Sequence, residues 1–172
     1  MSKDFVFRGR AWVVGDDIDT DMILHGSYLP LTDPKEMAKH ALEYVPGMED
    51  FTSKVRAGDI VVAGKNFGCG SSREHAVIAL QYNDVAAIVA ESFSRIFYRN
   101  AVNLGFPMLE VPGIAEEVEN GDELEVDANR GRVRNLTKGT ELDGTPLSGL
   151  EKDIMTAGGL FSFLKKDLES KE

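Results

Sequence analysis

Ser71, Ser72 and Arg73 stand side by side in the stretch Lys65-Asn66-Phe67-Gly68-Cys69-Gly70-Ser71-Ser72-Arg73-Glu74-His75-Ala76. This puts two hydroxyls and a guanidinium at the end of a glycine-rich turn. The turn follows a short apolar run, Asp59 to Gly64, and opens a helical pattern from Ser72 to Tyr82. At such a junction the first-turn amides lack partners, and together with the helix dipole they favour a carboxylate or phosphate. The hydroxyls add donors, and an arginine grips a carboxylate with two parallel bonds. The chemistry predicted is recognition of an anion beside a hydroxyl.

Two other readings fit the same residues. Ser71 followed by Glu74 is a capping box, which explains one serine and the glutamate without any ligand. It leaves Arg73 unexplained, since the helix dipole disfavours a cation there. Gly68-x-Gly70-x-x-Arg73 also approaches the dinucleotide pattern G-x-G-x-x-G, with Glu91 at the distance of an acidic ribose ligand. The third glycine is missing, however, and the turn does not follow the first strand.

A second chemistry-bearing string is Gly15-Asp16-Asp17-Ile18-Asp19-Thr20-Asp21. Its carboxylates could hold Ca²⁺ or Mg²⁺, but the glycine and terminal glutamate of an EF-hand loop are absent, and turn-forming, solvated carboxylates are the commoner arrangement. Cys69 is the only cysteine. It excludes an internal disulfide and reads as a packing residue, although its position near a helix start would lower its pKa. An iron–sulfur cluster needs several thiolates, so any cluster must belong to a partner. His40 is expected near the surface and His75 in a supporting hydrogen bond, without metal-ligand spacing.

The elements that must position these residues follow from apolar periodicity. Phe5 to Val14 reads as a strand leading into the acidic turn. Asp33, Pro34 and Glu36 mark a helix start, Met37, Ala41, Leu42 and Val45 continue it, and Pro46-Gly47 stops it. Val85 to Ala90 and Phe106 to Val111 read as buried strands flanking a helix over Phe93 to Leu104. The alternation implies a partly parallel sheet. Beyond Gly121, the segments Glu123 to Asp127 and Arg132 to Leu136 alternate apolar and polar residues around Asn129-Arg130-Gly131, which predicts an antiparallel unit. Helix follows from Ser148 to Lys166, broken at Gly158-Gly159. The expectation is α/β, one domain over residues 1–172.

With 172 residues, 42% of them hydrophobic and 28% charged, the chain has the composition of a globular domain able to bury a core. A net charge of −10 without a basic cluster argues against a nucleic-acid partner. No apolar run reaches the ~20 residues of a membrane span, and MSKDFVFRGR lacks the pattern of a signal peptide. The expected location is the cytoplasm.

Asn66 to Ala76 resembles the signature of the small subunits of isopropylmalate isomerases, in the aconitase superfamily. Gly15 to Asp21 resembles a second signature of that family, and Ser92-Phe93-Ser94-Arg95-Ile96-Phe97-Tyr98-Arg99-Asn100-Ala101 a third, in the family's order. The similarity runs from about Phe5 to Leu164. It implies the swivelling β/β/α fold of aconitase's fourth domain, with the small antiparallel unit toward the C-terminus. It also implies a large catalytic subunit carrying a [4Fe–4S] cluster, with no cofactor or metal in this chain. Ser71 becomes the catalytic base, Asp21 a second catalytic residue that supports groups from the large subunit, and Ser72, Arg73 and Thr20 bind the substrate, the first two through its carboxylates. The reaction implied is dehydration and rehydration of a small dicarboxylate in leucine biosynthesis, with no activity from this chain alone. The isolated chain is free to form a homo-oligomer.

In this family the loop Tyr28-Leu29-Pro30-Leu31 is expected to read the substrate's substituent. Homoaconitase-like subunits resemble the region but carry arginine where Pro30 stands, for a third carboxylate. An uncharged loop suits an isopropyl group and penalises a tricarboxylate. Dimethylmalate and citraconate (methylmalate) hydration stay open, as does a non-catalytic nucleotide-binding or docking module.

Overall fold

The computed structural model describes residues 5–71 and 73–171. Strand β1 (Val6–Val13) is followed by α1 (Thr20–Ile23), a 3-10 turn at Gly26–Tyr28, α2 (Pro34–Ala38) and α3 (Phe51–Lys54). Then β2 (Ile60–Ala63), α4 (Glu74–Gln81), β3 (Ala87–Ala90), α5 (Arg95–Asn103) and β4 (Met108–Glu110) alternate. The chain continues through α6 (Ile114–Glu117), β5 (Glu123–Asp127), β6 (Arg132–Asn135), β7 (Thr140–Asp143), α7 (Gly149–Ala157) and α8 (Leu160–Ser170).

The strands form one seven-stranded sheet in the order β4-β3-β2-β1-β5-β6-β7. β2, β3 and β4 pair in parallel, as the crossover helices require, and β5, β6 and β7 pair antiparallel through short turns. β1 belongs to both halves. Its residues Ala11–Val13 run parallel to β2, and Val6–Arg10 run antiparallel to β5. Arg10 and Trp12 hold the junction, donating to the buried Asp59 carboxylate at 3.0 and 2.8 Å.

The parallel strands are buried on both faces, so their apolar runs need no alternation. Val61, Ala63, Ile88 and Met108 face the core containing Leu80 of α4 and Phe97 of α5. Ile60, Val62, Val89 and Leu109 face the other way, onto Ile114 of α6 and Val126 and Val133 of the antiparallel unit. α7 and Val102 of α5 form a third apolar cluster with Phe5 and Leu147. Among the described residues no helix is long and apolar enough to cross a membrane.

Three local expectations are corrected. The helix begun at Asp33 ends at Ala38 instead of running to Val45. Leu42 turns left-handed (φ 59°) and its N–H donates to the Ile23 carbonyl at 2.9 Å, tying this segment to α1 at the expense of helical continuity. Asp33 caps the Lys35 amide, so the box with Glu36 does not form. The helix expected from Ser72 begins at Glu74, with Arg73 as its cap residue and no side-chain cap, so Ser71 does not close a capping box.

Candidate active site

Two loops leave the C-terminal ends of neighbouring parallel strands, one between β1 and α1 and one between β2 and α4, and they lace together. The Asp17 amide donates to the Lys65 carbonyl, Gly68 to Ile18, and Thr20 to Cys69, each at 2.8 Å. Side chains of the acidic turn complete the lacing. Asp16 accepts from the Lys65 amide at 2.7 Å, Asp17 from the Asn66 side chain at 3.1 Å, and Asp19 caps α1 through the Met22 amide at 2.8 Å. These carboxylates hold the turn, and among the described residues no three His, Cys, Asp or Glu side chains converge on a metal position.

Asp21 is used differently. It reaches across to the second loop and accepts from Arg73 Nη1 at 2.6 Å. That bond holds the Asp21 carboxyl below its ordinary pKa, against a smaller opposing effect of desolvation, with help from the Arg73 charge and the Gly26 amide. Gly26 lies against the pair, where a Cβ would stand 3.3 Å from Asp21 Oδ1 and 3.5 Å from Arg73 Nη1. Ser71 is exposed, and its hydroxyl lies 3.4 Å from that of buried Thr20, too far to hold either one tightly. The structure thus brings Thr20, Asp21, Ser71 and Arg73 together. Ser72 lies outside the described residues.

The turn rests on an aromatic floor. Phe67, Phe93 and Phe97 are buried, with Phe67 edge-on to Phe97 at 5.2 Å. Gly68 has φ 83° and sits so close to Phe97 that an added Cβ would fall 2.2 Å from its ring. The Ser92–Ala101 string is fastened to the same turn: Phe67 N–H donates to the Ser92 carbonyl at 3.1 Å and Ser94 N–H to the Phe67 carbonyl at 2.9 Å. The Ser92 hydroxyl accepts from the Asn66 amide at 2.8 Å. All three sequence strings therefore converge at one place.

Cys69 departs from the expectation of a lowered pKa. Burial, then the charges of Asp19 and Asp17, push its thiol up. Glu91, the ribose position of the dinucleotide reading, accepts from the Gly113 amide at 3.0 Å. Tyr28 packs against the main core, stacked on His40 at 3.8 Å with its hydroxyl donating to Glu43 at 3.3 Å. Leu31 also packs on the main core, Leu29 is half-buried and Pro30 is exposed. Among the described residues His75 makes no side-chain hydrogen bond.

The aconitase C-terminal domain family matches residues 31–113. The small subunit 1 of 3-isopropylmalate dehydratase from Methanopyrus kandleri is 53% identical over 162 residues, covering 94% of each chain. The chain belongs to the 3-isopropylmalate dehydratase small-subunit family. Another relative, the isopropylmalate/citramalate isomerase small subunit of Methanocaldococcus jannaschii, is 48% identical, over 95% of this chain and 96% of its own length. A crystal structure of a 3-isopropylmalate dehydratase from the same organism superposes with a TM-score of 0.90 at 44% identity, over 96% of this chain and 98% of that one. The family's swivelling β/β/α fold, expected from the motifs, is the one observed, and a small subunit implies a large one.

Sequence reasoning missed two contributors to the site. Gly26 gave no signal, because its meaning depends on Asp21 and Arg73 arriving beside it. Ser92 lay within a recognised string, but its hydroxyl bond to Asn66 could not be read before the two loops were placed together.

Proposed function

We propose that this chain is the small subunit of a cytoplasmic hydro-lyase that interconverts 2-isopropylmalate and 3-isopropylmalate, as a single swivel domain over residues 1–172. It would act only with a large iron–sulfur subunit. The observation that carries this reading is the exposed Ser71 hydroxyl on the same turn as a guanidinium already fixed by Asp21 at 2.6 Å. The family relationship supplies the reaction class.

In this reading Ser71, as the alkoxide, takes the proton from the carbon beside a substrate carboxylate. That electron pair forms the carbon–carbon double bond as hydroxide departs from the neighbouring carbon. Water adds back at the other carbon by the reverse steps, with Ser71 returning the proton. A serine is a weak base unless its anion is stabilised, and the Arg73 charge at the start of α4 supplies that stabilisation. The guanidinium nitrogens not bound to Asp21 are available to a carboxylate, which Ser72 would share. Thr20, whose hydroxyl faces that of Ser71 at 3.4 Å, would contact the substrate with Arg73 and Ser72, and the uncharged Leu29–Pro30 segment, held by Tyr28 and Leu31, favours an isopropyl group over a third carboxylate.

The cluster does not fit this chain. One thiol stands where a cluster needs several, and the acidic turn's carboxylates are engaged within the chain, Asp16 and Asp19 by backbone amides, Asp17 by Asn66 and Asp21 by Arg73. The cluster and assistance to the departing hydroxide are therefore assigned to the large subunit.

Anaerobic co-expression with the large subunit, followed by hydration of isopropylmaleate, citraconate, dimethylmaleate and cis-homoaconitate, tests the reading. Isopropylmaleate turnover is expected, with kcat lower by roughly 10²–10⁴-fold in Ser71→Ala, the usual range for a lost general base. Turnover of citraconate or dimethylmaleate alone would overturn the substrate. No turnover with a loaded cluster would leave a docking module.

A further inference from the structure

The third sequence string carries two arginines that the proposed chemistry does not use. Arg95 and Arg99, four apart on α5, line a groove of about 490 Å³ that runs between α5 and α7 and reaches Glu110 at the end of β4. Its acids are already engaged. Glu151 accepts from the Tyr98 hydroxyl at 2.9 Å, and Glu110 accepts from the Phe93 amide at 3.3 Å. Among the described residues neither guanidinium forms an ion pair, on a chain whose net charge is −10. Beside them Leu150 is 61% exposed, and Ile154 lines the groove deeper in. Unpaired arginines next to uncovered aliphatic surface have the composition of a protein interface. A small ligand would normally be enclosed over most of its surface, and this open, exposed lining does not enclose one.

We propose that the α5–α7 groove is a docking site for an acidic, apolar-tipped segment of the large subunit. This rests on the small-subunit reading above. Arg95 and Arg99 take the partner's carboxylates, and Leu150 is covered by its apolar tip. The position has a consequence for the site. α5 is bonded to the catalytic turn through Ser94 and Phe67, and Phe97 lies against Gly68. A partner gripping α5 therefore holds the turn that carries Ser71 in a fixed relation to itself.

The test is the affinity of the large subunit for wild type and for the double variant Arg95→Glu/Arg99→Glu. It is read by sedimentation and by titrating activity, with thermal unfolding used to verify that the variant is folded. Wild-type affinity is expected to fall as salt rises, and the variant to bind at least roughly tenfold more weakly with kcat unchanged at saturation. Arg95→Gln/Arg99→Gln should fall between the two, which separates lost attraction from added repulsion. Equal affinity in wild type and variant would overturn the proposal, as would a lower kcat at unchanged affinity. So would loss of a bound free dicarboxylate, or of self-association, with large-subunit affinity untouched. Failure of the wild type itself to bind or activate the large subunit would defeat the functional reading instead.

Discussion

Arg73 meets Asp21 through one nitrogen at 2.6 Å, so the pair orients the guanidinium without consuming it. Asp21→Asn removes the charge and keeps the shape. With the large subunit bound, kcat/KM is expected to fall by about 10²-fold, the cost of a binding group displaced by about an ångström. The pH dependence has a definite sign. Because Asp21 is held below its ordinary pKa, the ion pair is present at neutral pH and is lost only as pH falls through that lowered value. A wild-type kcat/KM profile across roughly pH 5–8 should therefore carry no inflection from Asp21. Activity lost through Asp21 titration near neutrality would disprove the assignment. The residue types here were legible before the fold: a hydroxyl pair, a guanidinium and a carboxylate in two separate strings. The sequence did not reveal that Asp21 alone among the acidic-turn residues would cross to Arg73, because that depends on how the two loops are placed against each other.

At the scale of elements, the turn between β2 and α4 depends on its aromatic floor. Gly68→Ala would place a methyl in a left-handed backbone and into the Phe97 ring. A loss of about 2–4 kcal/mol in chemical denaturation is expected, from backbone strain together with overpacking. Denaturation equal to wild type would mean that the turn can move, with the floor playing no part. Strand–turn–helix order around this site was readable because buried parallel strands give continuous apolar runs and their helices show a different period. β7 was not readable: Thr140–Asp143 is polar and mostly exposed, an edge strand held by Arg132 and Arg134 to Glu141 and Asp143. The overlong helix after Asp33 had a similar cause. Apolar spacing suited a helix, but tertiary contact drew Leu42 out of it.

Across the whole molecule, buried carboxylates link the two halves of the sheet to pH. Asp59 and Asp122 are 3% and 6% exposed. Burial opposes their charge, yet hydrogen bonds outweigh it and both pKa values are lowered. The donors are chiefly Trp12, the Arg56 amide and Arg10 for Asp59, and the Glu119 amide and Asn135 for Asp122. Their contribution is complete above the unfolded carboxylate value of about 4 and is lost as pH falls through the folded values. Asp59→Asn is expected to cost about 2–3 kcal/mol at neutral pH and to flatten the acid side of the stability curve. Denaturant titrations at several pH values check both. β1 makes the two halves interdependent in time as well. Ala11 pairs with Ile60, made early in synthesis, whereas Phe7 pairs with Val126, made late. Ala11 also exchanges backbone hydrogen bonds with Gly121 and Asp122, so one side of β1 has no partner until the segment leading into β5 is made, and the late steps of synthesis seal that exposed edge. Cutting the chain ahead of β5 should release a sticky, self-pairing fragment rather than a smaller folded protein.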